Sequence, residues 1–107
     1  MPMSDEISVT ELSEILEKDP RTPLIDVREQ EEFDEVNLAG TLIPMSELED
    51  RWQEIPKEGP VYLYCRTGRR SRTALEFLKS KGYANCINVT GGIVAWMNEV
   101  NPDGRAA

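Results

Sequence analysis

"VYLYCRTGRRSRTALEFLKSKGYANCINV", residues 61–89, is the stretch that decides the fold. Val61–Cys65 is β-branched and aromatic, the composition of a buried strand. A helix is predicted from about Arg70 or Ser71 to Lys81, because Ala74, Leu75 and Leu78 fall on one face. Lys79 and Lys81 lie in its last turn and Gly82 follows at the cap, as the helix dipole and left-handed geometry favour. Cys86–Val89 then reads as a second strand. Strand, helix and strand in so short a span make a unit that builds parallel sheets.

The flanks continue the alternation. "EIS" is a short candidate strand, followed by a helix from about Ser8 to Lys18. Ser8 and Glu11 fit a capping box, and Leu12, Ile15 and Leu16 form an apolar stripe. "DPRTP" breaks this helix, and Pro23–Val27 is of buried-strand type. Glu29–Glu35 is expected as a short helix with Phe33 inward and its acids on a solvated face. "AGTLIP" offers a turn, a very short strand and a proline stop. Ser46 with Glu49 repeats the capping-box pattern ahead of Leu48, Trp52 and Ile55 in helical phase. Gly91-Gly92 opens a final helix with Ile93, Trp96, Met97 and Val100 on one face, and "NPDGRAA", 101–107, reads as a frayed tail. The expected fold is one α/β domain, 1–107, with an ordered core of about 5–100 and helices on both faces of a mostly parallel sheet.

Bulk properties narrow the function. The chain has 107 residues, 39% hydrophobic and 30% charged, which suits one globular domain with a modest core. No apolar run approaches the ~20 residues of a membrane span. "MPMSDEIS" carries acids where a signal peptide carries basic residues, so the expected compartment is the cytoplasm. A net charge of −8 argues against nucleic acids and anionic membranes as partners. The chain has no histidine, which removes Ser-His-Asp triads, Cys-His pairs and histidine zinc sites. Cys65 and Cys86 lack CxxC spacing and are too few for a disulfide framework. Neither a metal nor a cofactor is expected.

Against that acidity, Arg66, Arg69, Arg70 and Arg72 fall within seven residues beside Cys65. In α/β sheets ligands bind beyond the carboxyl ends of the strands. The loop Arg66-Thr67-Gly68-Arg69-Arg70-Ser71 lies there, with a flexible glycine to curl its N–H groups inward at the start of a helix. A thiol at the centre of such a nest, near guanidinium groups, should ionise below the ~8.5 of a free cysteine. A lone cysteine at a strand end is more often a small buried hydrophobe. The arginines running against the sign of the whole chain weigh against that here, whereas Cys86, in "NCINV", reads as core. Arg66, Arg69 and Arg70 suit an oxyanion, since the arginine fork binds two oxygens at once. Arg72, further into the helix, is open between site and solvent.

"LIDVREQEEF" (24–33), "CRTGRRS" (65–71) and "CINVTGGIVAWMNEVNP" (86–102) together resemble the signatures of rhodanese-type sulfurtransferases, over nearly the whole chain. The resemblance implies a five-stranded, largely parallel sheet. It also implies a Cys65 persulfide that takes a sulfane sulfur from a small anionic donor such as thiosulfate. Cyanide, a thiol or a sulfur-relay protein partner would then receive it. Arg66, Thr67, Gly68, Arg69, Arg70 and Ser71 become substrate-binding candidates, and Asp26 and Arg28 of "IDVR" a structural support. Where the family commonly reads "GHIPGA" this chain has "VNLAGT", without the histidine near Asn37 and one residue short up to Pro44. Thr67 stands where the mitochondrial thiosulfate enzyme has lysine. Trp96 and Met97 read as core, with Gly91-Gly92 as a wall of the site.

Two other readings share the motif. Cysteine phosphatases and arsenate reductases place an arginine six positions after the cysteine, where this chain has Ser71. A non-catalytic docking module would not need Cys65 at all. A sulfur relay uses the same residues as a free enzyme, and the sequence leaves the two open.

Overall fold

The computed structural model describes residues 5–104, so Met1–Ser4 of the acidic N-terminal stretch and tail residues 105–107 lie outside it. In chain order the elements are β1 (Glu6–Ile7), α1 (Val9–Lys18), β2 (Leu24–Asp26), α2 (Gln30–Glu35) and β3 (Thr41–Leu42). Then come α3 (Leu48–Arg51), β4 (Val61–Tyr64), α4 (Arg69–Ser80), β5 (Cys86–Val89) and α5 (Gly92–Glu99). The five strands form one sheet in the order β1-β5-β4-β2-β3, and every pair is parallel. The α/β class with helices on both faces is the architecture of the chain.

β4 is central, and its alternation divides the core. Val61, Leu63 and Cys65 join Ile25, Leu48, Leu75 and Leu78 under α3 and α4. Tyr62 and Tyr64 turn the other way, toward Leu12, Leu16, Ile93 and Trp96 of α1 and α5. Side chains along a strand alternate with period two, so Cys65 continues the row that faces α4. Each fully buried leucine in these layers contributes on the order of 2 kcal/mol by leaving water. Among the described residues no helix is long and apolar enough to cross a membrane.

Several boundaries follow the local chemistry that the sequence advertised. The capping box of α1 forms, with Ser8 Oγ accepting from the Glu11 N–H at 3.1 Å and the Glu11 carboxylate accepting from the Ser8 N–H at 3.2 Å. α4 starts at Arg69, slightly earlier than expected, with Gly68 as its N-cap. It closes with the Tyr83 N–H on the Leu78 carbonyl and the Gly82 N–H on the Lys79 carbonyl, each 3.0 Å, the paired bonds of a glycine-terminated helix.

Two expectations are corrected. Ser46 caps no helix, because a 3-10 turn, Met45–Glu47, already begins right after Pro44 and places Ser46 inside its first turn. Its hydroxyl donates instead to the Glu29 carboxylate at 3.0 Å. The single helix expected there is α3 alone between two 3-10 turns, the second being Trp52–Glu54. The segment just after α5 makes hydrogen bonds of its own. The Asn101 N–H donates to the Trp96 carbonyl at 3.0 Å and the Gly104 N–H to the Asn101 carbonyl at 3.1 Å, and Gly104 is buried.

Candidate active site

Cys65 follows the end of β4 directly and is only 1% exposed. Its Sγ receives the Gly68 N–H at 3.1 Å and the Ser71 N–H at 3.4 Å, with Ser71 Oγ also at 3.4 Å. Glycine permits this shape at two places. Gly68 has φ 101°. Gly92 has φ 58°, and a Cβ there would lie 2.4 Å from the Cys65 carbonyl oxygen and 2.6 Å from that of Arg66. The close approach lets the first turn of α5 serve the loop: the Ile93 N–H donates to the Cys65 carbonyl at 2.9 Å and the Val94 N–H to the Arg66 carbonyl at 3.0 Å. With those carbonyls drawn toward α5, the loop's own N–H groups are left to face the sulfur.

Burial works against ionising Cys65. The Ser71 hydroxyl, when its proton turns to the sulfur, and the N–H groups of Ser71, Gly68 and Thr67 work for it, and the balance lies below the usual thiol value. Burial without such donors pushes the Cys86 thiol up to about 11. The two cysteines are chemically distinct although both are buried and free.

The arginines beside Cys65 occupy different settings. Among the described residues, no arginine hydrogen-bonds to Sγ. Arg70 holds the Glu32 carboxylate with both terminal nitrogens, at 2.8 and 2.7 Å, and its guanidinium keeps that carboxyl down to about 2. Arg72 pairs with Asp5 at 2.9 Å, Glu6 at 3.1 Å and Glu76 at 3.1 Å, tying α4 to the N-terminal segment. Arg66 and Arg69 are exposed. Arg66 borders a recess of about 210 Å³ with Glu35, Val94 and Met97, so Met97 is wall as well as core. Arg69 borders a separate recess of about 350 Å³ with Thr67, Asn88 and Gly91.

Asp26 and Arg28 form a buried, two-toothed pair, with Arg28 Nε at 3.0 Å and Nη2 at 2.7 Å from the carboxylate. Nη2 also donates to the Val36 carbonyl at 2.7 Å, and the guanidinium lies 5.5 Å over the Tyr64 ring. This ties the end of β2 to the segment after α2. There Asn37 replaces the histidine and organises the turn. Its amide donates to the Phe33 carbonyl at 3.0 Å and accepts from the Ala39 N–H at 2.8 Å. The Tyr64 hydroxyl accepts from the Leu38 N–H at 3.1 Å.

Two residues at the site were not singled out from sequence. Glu32 looked like one more acid on a solvated face, and nothing local distinguishes it from its neighbours. Asn88 did carry a signal, a lone amide in the apolar strand "CINV", since buried polar groups are normally hydrogen-bonded. Asn88 is 3% exposed, and its amide reaches both Ser71 Oγ, at 2.5 Å, and the Gly68 carbonyl, at 3.1 Å.

Residues 8–99 match the sequence family described as Rhodanese-like domain. A sulfurtransferase from Allochromatium vinosum is 37% identical over 95 residues, covering 88% of this chain and 89% of that protein. The human single-domain sulfurtransferase TSTD1 superposes with a TM-score of 0.78 at 27% identity, covering 91% of this chain and 98% of that one. The chain also matches the adenylyltransferase and sulfurtransferase uba4 of Ogataea parapolymorpha, 36% identical over 102 residues. There it covers 83% of this chain and only 26% of the relative. The chain thus spans about a quarter of the length of some curated relatives.

Proposed function

This chain belongs to the rhodanese-like family of sulfurtransferases, and from that premise we propose that Cys65 carries the transferred sulfur as a persulfide. The observation that carries the proposal is a thiol at a strand end, ringed by inward-facing N–H groups at the start of α4. The Cys65 thiolate attacks the outer sulfur of thiosulfate, a new S–S bond forms, and the donor's S–S bond breaks with its electron pair leaving on sulfite. The persulfide's terminal charge is then stabilised by the loop N–H groups. Cyanide attacks the outer sulfur in turn, leaves as thiocyanate and restores the thiolate. No metal or organic cofactor takes part in either step.

Arg66 and Arg69, which have no ion-pair partner among the described residues and border separate recesses, are the donor-gripping residues in this reading. Arg70, already held by Glu32, supplies charge from a fixed position. Thr67, Gly68 and Ser71 complete the cradle. A thiol or a partner protein can take the place of cyanide, and a Bacillus subtilis relative described as a putative sulfur carrier protein supports a relay role. Two free thiols suit a reducing compartment, and we place the enzyme in the cytoplasm.

The test is intact mass after incubation with thiosulfate, beside Cys65→Ser, followed by cyanide and a thiocyanate assay. A gain of one sulfur atom that requires Cys65 and is lost to cyanide supports the proposal. Absence of any gain, with thiosulfate and with a cysteine desulfurase plus cysteine, overturns it.

A further inference from the structure

We infer that Asn88 is the positioning residue of this site, holding the single hydroxyl proton of Ser71 away from Cys65 Sγ. The inference rests on Cys65 being the sulfur-accepting group. Asn88 lies on β5, buried, and its amide has one orientation that works. Nδ2 donates to the Gly68 carbonyl at 3.1 Å, which can only accept, so Oδ1 faces Ser71 Oγ at 2.5 Å. Sγ lies 3.4 Å from the same hydroxyl. A serine hydroxyl has one proton and here has two claimants. Turning that proton to the sulfur would set two oxygens face to face at 2.5 Å with nothing between them.

The proton therefore belongs to Asn88, and Ser71 presents a lone pair to the sulfur. The Ser71 hydroxyl, 3.4 Å away, would lower the thiol further if its proton turned to the sulfur; with Asn88 holding that proton, the thiolate is left to the N–H groups of Gly68, Ser71 and Thr67. A thiolate with fewer donors is more basic and more nucleophilic, because intrinsic thiolate reactivity rises with thiol pKa. Asn88 thus gives up some thiolate population in favour of a more reactive sulfur. The Gly68 carbonyl that Nδ2 holds also accepts from the Arg72 N–H at 3.2 Å, so it keeps a partner when Asn88 is changed. The charged groups around the site are Arg66, Arg69 and Arg70, the Asp26–Arg28 pair, Glu32 and Glu35, and Glu6 with Arg72 on the Asn88 side. None hydrogen-bonds to Sγ, and none changes in the variants below.

The experiment is the pH dependence of iodoacetamide alkylation at Cys65, read by peptide mass, in the full chain. It compares wild type, Asn88→Ala, Ser71→Ala and the double variant. Freed from Asn88, the Ser71 hydroxyl turns to the thiolate, and the alkylation midpoint of Asn88→Ala falls by about one pH unit, the worth of one hydrogen bond to a charged group. In the Ser71→Ala background the same substitution produces no fall, so the two changes are coupled. A midpoint that rises or stays put in Asn88→Ala overturns the inference, as does a fall that persists without the Ser71 hydroxyl. Should circular dichroism show Asn88→Ala unfolded, Asn88→Leu, which keeps the volume and removes both polar atoms, is read by the same criteria. Failure of the sulfurtransferase reading shows elsewhere, as no Cys65-dependent gain of sulfur from thiosulfate, and leaves these midpoints where they are.

Discussion

Cys65 and Cys86 have the same side chain and comparable burial, and hydrogen-bond donors alone separate them. Alkylation of Cys65 should rise with pH and reach half its plateau below the ~8.5 of a free thiol. Cys86, pushed up to about 11, should stay unmodified across that range in the folded chain. Peptide mass after a timed iodoacetamide pulse at each pH checks both. Glu32 makes a second prediction at this scale. Its carboxyl is held at about 2 in the folded chain against 4.5 when free of Arg70, so folding makes it harder to protonate. The stability this contributes is fully present above pH 4.5 and disappears as pH falls through about 2. The pair is partly exposed, so its worth is about 0.5–1 kcal/mol. Urea midpoints of Glu32→Gln should sit below wild type at pH 7 and converge with it near pH 2. A constant gap would mean that Glu32 acts through packing.

The elements meet the site through backbone, and that is where substitution should hurt most. Gly92→Ala puts a methyl 2.4 Å from the Cys65 carbonyl oxygen, in a left-handed conformation that alanine avoids. We expect a loss of about 1–3 kcal/mol in urea unfolding together with loss of persulfide formation, because α5 can no longer hold the loop carbonyls. Retained sulfur uptake at reduced stability would show that the nest closes without α5. Ala39 is the reverse case, a non-glycine at φ 58°, where Ala39→Gly should raise stability by up to about 1 kcal/mol in the same assay. The βα unit of residues 61–89 was legible because its strands and helix carry different periodicities and its loop carries the thiol. Ser46–Glu49 misled because the capping pattern reports residue types, while Pro44 determines where the turn begins. Glu32 was not legible because its partner lies 38 residues away, beyond any local pattern. Asn88 was visible as an anomaly, yet its two partners come from the loop and α4, and only the fold brings them together.

Across the whole molecule, a net charge of −8 surrounds a loop whose exposed Arg66 and Arg69 are positive. An anionic donor feels local attraction inside general repulsion. Replacing both with Arg66→Gln and Arg69→Gln should raise the thiosulfate KM about tenfold or more, as lost charge-assisted hydrogen bonds do. Added salt screens whichever charge dominates, so it should slow sulfur uptake by wild type and speed it in the double variant. The same response in both proteins would remove the arginines from donor capture. The crossing of chain order and sheet order has a consequence in time. Among the described residues β1 pairs with β5, and the carbonyls of Cys65 and Arg66 accept from α5. During synthesis Cys65 leaves the ribosome well ahead of Ile93 and Val94. A nascent chain therefore carries an ordinary thiol, and the sulfur becomes reactive only once the segment that completes the fold has emerged.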